Sequence, residues 1–401
     1  MVHIVFATQH WIIPKPGFTQ KQFFVALAKK CEKIGGAVIG CHPPLFILTG
    51  LAKLRRPVLR RIVSLDVLYR QARNFFFYTP LLLIPPSRGK YFGPISGINK
   101  VLFLRQTKQL LTRFGTRPKD AVVWCFHPLQ RYIYDLFENT TRVYRVFDNY
   151  DEEPFWNAKE KEQIRNNEKH FLGTADLVIA SSSVLREDKI PHRNDVHWVP
   201  NGVDFGVFSQ ALRPDCRVPQ DIEQYPRPRI GFVGKLNFKI DFALVNYLAR
   251  SRPNASFLFI GPNDGTEEFN SSQEFKEAQR ISNIHFLGTR PYESLPCYLK
   301  GFDACIIPFV INEYTKRIYP LKVHEYLAAG RPVVSTPLPD LLAFSEVVGI
   351  ADNKEHYLEL LDSAVIDKSS EKVCARLEVA RQNSWDARAQ TVLELLKSLR
   401  G

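Results

Sequence analysis

Short apolar runs alternate with polar stretches of helical period along most of the chain, and this alternation predicts strands and helices in turn. Residues 2–8 alternate as a first strand. A loop with Pro14, Pro16 and Gly17 follows, then a helix over 19–33 that stops near Gly35, then a strand over 37–40. Further strands are expected at 121–126, 142–147 and 177–180, with a polar helix at 160–171. Residues 206–229, with Pro214, Pro219, Pro226 and Pro228, read as irregular. Alternation then resumes, with strands at 230–233, 256–260, 284–287, 304–309 and 333–335 between helices at 242–250, 292–300 and 321–329. An amphipathic helix behind the N-cap candidate Ser384 closes the chain. The pattern predicts an α/β chain of two doubly wound, Rossmann-like domains: residues 1–205, a linker at 206–228, residues 229–385, and a last helix at 386–401.

Residues 50–115 depart from this regularity. A basic amphipathic helix is expected over 51–73, carrying Arg55, Arg56, Arg60 and Arg61, and another over 98–114 with Lys100, Arg105, Lys108 and Arg113. Between them lies the apolar run 75–86, about half a membrane span and broken by Pro80, Pro85 and Pro86. Charge sharpens the picture. The formal net charge is +13, but residues 1–120 alone hold twenty Lys and Arg against Glu32, Asp66 and Asp120. Nucleic acid and an anionic membrane surface both fit that excess, and so does a solvated basic face over an apolar core. Basic helices flanking an apolar segment favour a leaflet surface as partner, with 75–83 sinking into the interface, and no nucleic acid is expected.

At 401 residues with 45% hydrophobic and 24% charged positions, the chain has the composition of a globular protein of two cores. Its seven cysteines are scattered without a C-x-x-C pair, which predicts neither a disulfide framework nor a zinc site, and a reducing compartment. The start, MVHIVFATQHW, lacks the features of a signal peptide, so the expected location is the cytoplasm, peripherally on the inner face of the plasma membrane. No G-x-G-x-x-G occurs, so no dinucleotide cofactor is expected; no D-x-D occurs, and no metal is expected.

The chemistry concentrates at 306–340. Helix starts carry unpaired N–H groups and ordinarily recruit acids, yet Lys316, Arg317 and Lys322 crowd the start of the helix after Pro320, and Glu325 comes only a turn later. A bound phosphate would relieve that clash, and Glu325 on the same face would accept hydrogen bonds from sugar hydroxyls. A surface Lys322–Glu325 pair with two solvated basic neighbours accounts for the charges equally well. His127, Asp148 and Asp151 stand at predicted strand ends, where a doubly wound sheet puts functional groups and where ordinary caps also occur.

The run P-L-K-V-H-E-Y-L-A-A-G-R-P-V-V-S at 320–335 resembles the donor-binding signature of GT-B glycosyltransferases of the family 4-like group, which build bacterial surface polysaccharides, teichuronic acid among them. R-I-G-F-V-G-K-L at 229–236, N-I-H-F-L-G-T-R-P-Y-E-S-L-P at 283–296, A-D-L-V-I-A-S-S-S-V-L at 175–185 and V-P-N-G-V-D at 199–204 fit in the same order. The resemblance implies a cleft between two Rossmann-like domains and a nucleotide-sugar donor as substrate. It implies transfer to a glycan or lipid-linked acceptor, without cofactor or metal and with retention of configuration. It places Lys322 and Glu325 on donor phosphate and ribose with Tyr319 and Leu321 beside them, Lys235 and Lys239 on the pyrophosphate, and the Gly17 loop near the phosphates. His127, Asp148 and Asp151 would face the donor sugar and acceptor hydroxyl. The glutamate that such enzymes often carry eight residues before the ribose-binding one is replaced by Arg317, which leaves its role vacant or taken over by Glu313. A GT-B epimerase acting on the nucleotide-sugar, or a noncatalytic nucleotide-sugar-binding subunit, is the alternative.

Overall fold

The apolar runs become parallel strands. The computed structural model describes residues 1–6, 19–41, 45–46, 68–72, 74–82, 97–137, 139–152 and 156–399. They fall into two units, Met1–Pro200 together with Arg388–Gly401, and Asn201–Ala387.

In the first unit the elements run β1 (Val2–Phe6), α1 (Thr19–Glu32), β2 (Ala37–Cys41), β3 (Leu45–Phe46), β4 (Leu68–Ala72), β5 (Phe75–Tyr78), β6 (Leu81–Leu82), α2 (Gly97–Arg113), β7 (Ala121–Cys125), β8 (Thr141–Val146), α3 (Ala158–Thr174), β9 (Leu177–Ala180) and β10 (Val196–Trp198). The sheet order is β10-β9-β8-β7-β1-β2-β5-β4, parallel except for β4, while β3 and β6 form a short parallel pair of their own. Every residue of β1, β2 and β7 is buried, as expected of strands covered on both faces.

Two expectations fail here. Of the helix expected over 51–73, residues 68–72 are strand β4, paired antiparallel to β5; residues 51–67 and 73, and with them Arg55, Arg56, Arg60 and Arg61, lie outside the described residues. The described part of the apolar run after them, residues 75–82, is no membrane anchor, and residues 83–86 lie outside the described residues. Phe75 and Phe77 are fully buried in β5, which pairs with β2 on one side and β4 on the other. Aromatic residues suit a pleated, enclosed surface, and hydrophobicity alone does not distinguish a sheet interior from a lipid interface.

In the second unit β11 (Arg229–Val233), α4 (Phe242–Ser251), β12 (Ser256–Ile260), β13 (Ile284–Gly288), β14 (Ala304–Ile307), α5 (Lys322–Ala328), β15 (Val333–Ser335), β16 (Val348–Ile350), α6 (Lys354–Ile366), α7 (Ser370–Gln382) and α8 (Trp385–Ser398) follow one another, α8 passing at Arg388 into the first unit. The sheet is parallel throughout, in the order β13-β12-β11-β14-β15-β16, and its direction of growth reverses between β11 and β14. Ligands of doubly wound sheets bind outside the strand carboxyl ends at such a reversal. Right-handed crossovers then put α4 and α5 on opposite faces: α4 packs against α6, and α5 against α7.

The proline-rich stretch 206–228 is not a free linker. It forms short helices at Phe205–Phe208 and Gln220–Glu223, and Phe208, Ala211 and Ile222 are buried in the core of the second unit. A disulfide joins Cys216 of this stretch to Cys297, with 5.6 Å between the Cα atoms, where the scattered cysteines predict no disulfide framework. The partners are 81 residues apart, and spacing along the chain carries no information about such a meeting. The apolar members at 208, 211 and 222 outweigh the prolines, since burying them against the sheet removes their surface from water.

Candidate functional site

At the carboxyl edge of the second sheet, the reversal point is built from backbone and one tyrosine. The Val233 N–H donates to Tyr326 Oη at 2.8 Å, and the same hydroxyl donates to the Val233 carbonyl at 3.3 Å, which ties the end of β11 to α5. Gly234 has φ +149°, and a Cβ on it would meet Lys322 Cε at 3.1 Å and Nζ at 3.3 Å. Gly261, at φ +147°, carries hydrogen where a Cβ would overlap the Gly234 carbonyl oxygen. Both positions therefore require glycine, and the loop after β11 lies directly on the lysine.

Lys322 and Glu325 are half-buried on α5. The Lys322 ammonium lies 4.7 Å from the ring centre of Phe309 and 5.0 Å from that of Phe232, and among the described residues no carboxylate pairs with it within 4 Å. Burial pushes its pKa down, and the charge of Lys239 pushes the same way. Burial pushes the Glu325 carboxyl up, against the pull of Lys322. A simple surface ion pair would show neither feature. The two groups are partly desolvated charges that act on each other in one place, a condition that a polar, anionic ligand would relieve. Leu321 stands at the cap position of α5 with helical dihedrals and no side-chain cap bond, whereas Asp241 and Asn353 cap α4 and α6.

The other donor-side candidates meet different fates. Lys235, half of whose side chain is exposed, forms an ion pair with Asp264, a partner the sequence did not suggest. The loop of Lys239 is held by an antiparallel bridge from Ile240 to Phe309 and by Val310 N–H donating to the Lys239 carbonyl at 2.9 Å. Tyr319 is buried, with its hydroxyl 2.5 Å from His324 Nε2, so it braces α5 from within. Lys316 and Arg317 do not crowd the start of α5 as free charges. Both turn to Glu313, Lys316 Nζ at 2.9 Å and Arg317 at 3.2 Å, and Arg317 also donates to the Glu313 carbonyl at 2.7 Å. These contacts hold the exposed Glu313 carboxyl below its ordinary pKa, Lys316 first and Arg317 second. Gly17 lies outside the described residues.

In the first unit, His127 follows β7 and is buried, in contact with the ring of Tyr150 at 4.3 Å. Its Nδ1 accepts from the Leu129 N–H at 3.1 Å, while Gln130 Oε1 accepts from Phe126 and His127 N–H groups and its Nε2 donates to the Phe6 carbonyl at 2.7 Å. Burial lowers the His127 pKa to about 4. The ring is therefore neutral at pH 7, and because Nδ1 accepts, its proton is on Nε2. His127 is thus a hydrogen-bond donor and a cap at once. Asp148 follows β8 and accepts from the Asn149 N–H at 2.9 Å, and Asp151 is paired with Arg165 at 2.7 Å.

Tyr326, Gly261, Asp264 and the rings of Phe232 and Phe309 also belong to the site and were not among the candidates read from the sequence. Only Tyr326 had a legible signal, since it lies within the same short run as Lys322 and Glu325. Among the described residues, no three His, Cys, Asp or Glu side chains are grouped to hold a metal ion, and no helix is long and apolar enough to cross a membrane.

Comparison with known proteins bears on this geometry. The putative teichuronic acid biosynthesis glycosyltransferase TuaH of Bacillus subtilis (strain 168) is 34% identical over 181 residues, which is 44% of either chain, so the match spans under half the length of that relative. Among solved structures, sucrose-phosphate synthase of Thermosynechococcus elongatus superposes with a TM-score of 0.65 at 14% identity, covering 99% of this chain and 98% of that one. A structure described as trehalose-6-phosphate from E. coli bound with UDP-2-fluoro glucose gives 0.66 at 13% identity, over 99% of both chains. Anabaena HepE in complex with UDP and glucose gives 0.63 at 15%, again over 99% of both. These likenesses establish the fold as GT-B. The family model described as Glycosyl transferases group 1 matches residues 227–363, which takes in β11, the glycine loop, α5 and the pair Lys322 and Glu325. The match to the glycosyl transferases group 1 family thus falls on residues 227–363, in a chain whose fold is GT-B.

Proposed function

We propose that this chain is a glycosyltransferase that moves a sugar from a nucleotide-sugar donor to a glycan or lipid-linked acceptor in the synthesis of a cell-surface polysaccharide. The observation that carries the reading is the desolvated pair of Lys322 and Glu325 beside the Gly234 loop, inside the residues that match the family. In this reading the donor diphosphate lies on the Gly234 loop. Lys322, with Lys239 and Lys235, carries the negative charge that develops on the leaving group, and Glu325 accepts from ribose hydroxyls. Positioned cations in a partly desolvated site then take the part a metal ion has in other transferases, so transfer would proceed in the presence of a chelator. His127, buried and with its pKa lowered to about 4, would be a poor base, so it is not the group proposed to remove a proton. Glu313, fixed by Arg317, is the carboxylate nearest in sequence to the role left open by that arginine, and we extend the reading to retention of configuration. UDP in two of the structures of like fold supports a uridine nucleotide as first probe. Calorimetric titration with UDP and the other nucleoside diphosphates tests the proposal. Wild-type protein should bind at least one, and Lys322→Ala and Glu325→Ala should each weaken it about tenfold or more with thermal stability kept. Variants that bind as tightly as wild type would remove the donor site from this place.

The acceptor side of the proposal includes an anionic membrane surface. Its support is α2, whose inner face buries Phe103, Leu110 and Leu111 while Ile98 and Val101 are 59% and 66% exposed beside Lys100, Arg105 and Lys108. Residues 98, 101, 105 and 108 form one stripe of the helix. Such a stripe supplies apolar insertion and charge together. Flotation with anionic vesicles should succeed for the wild type and fail for Val101→Asp with Arg105→Glu; equal flotation with neutral vesicles would refute it.

A further inference from the structure

A cavity of about 640 Å³ opens within the second unit, at the carboxyl ends of β14, β15 and β16. Phe309 and Thr336, just beyond β14 and β15, line it; its walls are the first turns of α4, with Asp241 and Tyr247, and of α6, with Lys354 and Tyr357. Those helices lie on the face of the sheet opposite α5, so the cavity neighbours the place of Lys322 and Glu325 without containing them, and Phe309, whose ring centre is 4.7 Å from the Lys322 ammonium, stands between the two. Its volume falls in the range of small-molecule sites, about 300–1,000 Å³.

The chemistry of the walls narrows the occupant. Neither helix start is open to an anion, because Asp241 accepts from the Leu244 N–H at 2.8 Å and Asn353 accepts from the His356 N–H at 2.8 Å. The charged side chains lining the cavity are Asp241, Asp352 and Lys354, two negative against one positive, and the Lys354 ammonium stands 4.9 Å from the ring centre of Tyr247. Phosphates and acidic sugars are disfavoured by that balance. What remains is the half-buried ring of Tyr247, Phe309 and Tyr357 being buried behind it, next to carboxylates that accept only. A neutral sugar matches both, since its C–H face packs on a ring and its hydroxyls donate to carboxylate oxygens. Ile311 also lines the cavity and stands two residues before Glu313, so an occupant touches the loop that leads on to Arg317, Tyr319 and α5.

We propose that this cavity is a glycan subsite that holds neutral sugar residues of the acceptor or product chain away from the donor. The assignment to acceptor or product rests on the glycosyltransferase reading; the sugar site itself does not. Binding of the full-length protein to a panel of neutral and acidic oligosaccharides, read by saturation-transfer NMR and titration, tests it, with UDP affinity measured in parallel. At least one neutral oligosaccharide should bind without nucleotide. Tyr247→Ala should weaken it about tenfold and Asp352→Ala severalfold, both leaving UDP affinity and the melting temperature within error, and Glu325→Ala should leave glycan affinity unchanged. Failure of every neutral member to bind, preference for acidic members, or equal affinity in both cavity variants would overturn the subsite. Loss of UDP binding in the wild type with glycan binding retained would refute the donor reading and leave the subsite standing.

Discussion

Replacing His127 by Asn tests the cap at the end of β7 through its pH dependence. The folded ring has a pKa of about 4 and an ordinary histidine one of 6.5, with burial as the cause. Between those values the unfolded chain takes up a proton that the folded chain refuses, so acid favours unfolding. The stability held in the neutral ring is complete above pH 6.5 and is lost as pH falls from there toward 4. The full difference is about 3 kcal/mol at about 1.4 kcal/mol per pKa unit, and between pH 7 and pH 5 the ring accounts for about 2 kcal/mol. Asparagine keeps an acceptor for the Leu129 N–H and does not titrate. It gives up the packing on Tyr150, so His127→Asn should be less stable at pH 7 by about 1–2 kcal/mol. Between pH 7 and pH 5, however, it should lose about 2 kcal/mol less than the wild type, which brings the two curves together. Urea denaturation at intervals across that range, followed by tryptophan fluorescence, measures both slopes. Parallel slopes would refute the account, whatever the absolute stabilities.

Two further outcomes follow from the geometry of the second unit. Gly261→Ala forces a methyl group into the Gly234 carbonyl, a backbone atom that cannot turn aside, so it should cost about 1–3 kcal/mol in unfolding experiments and weaken UDP binding more than an alanine elsewhere on that edge. Alkylation should label Cys374 alone in the native protein and Cys31, Cys41, Cys125, Cys305 and Cys374 after unfolding without reductant, Cys216 and Cys297 reacting only after reduction, as mass spectrometry of the peptides would show.

Much of the fold was written in local pattern. Mostly apolar runs such as those of β1, β7 and β12 have one stable destination, a parallel sheet covered on both faces, and the helices between them follow from their period and caps. Lys322 and Glu325 were legible for a similar reason, since three residues on one helix bring side chains together whatever the rest of the chain does. Where the same local signal suits two surroundings, the sequence could not decide. The aromatic run at 75–78 suits a lipid interface and a sheet interior equally, and only its pairing with β2 and β4 made it core. Lys316 and Arg317 looked like free charges at a helix start until the turn at Glu313–Lys316 brought a carboxylate to both. The disulfide of Cys216 and Cys297, the ion pair of Lys235 with Asp264 and the hydroxyl of Tyr326 on Val233 are all contacts between different elements. Periodicity reports which side of an element faces inward; which partner it meets there is settled by the order of strands and the packing of helices on them, and that information exists only in the folded chain.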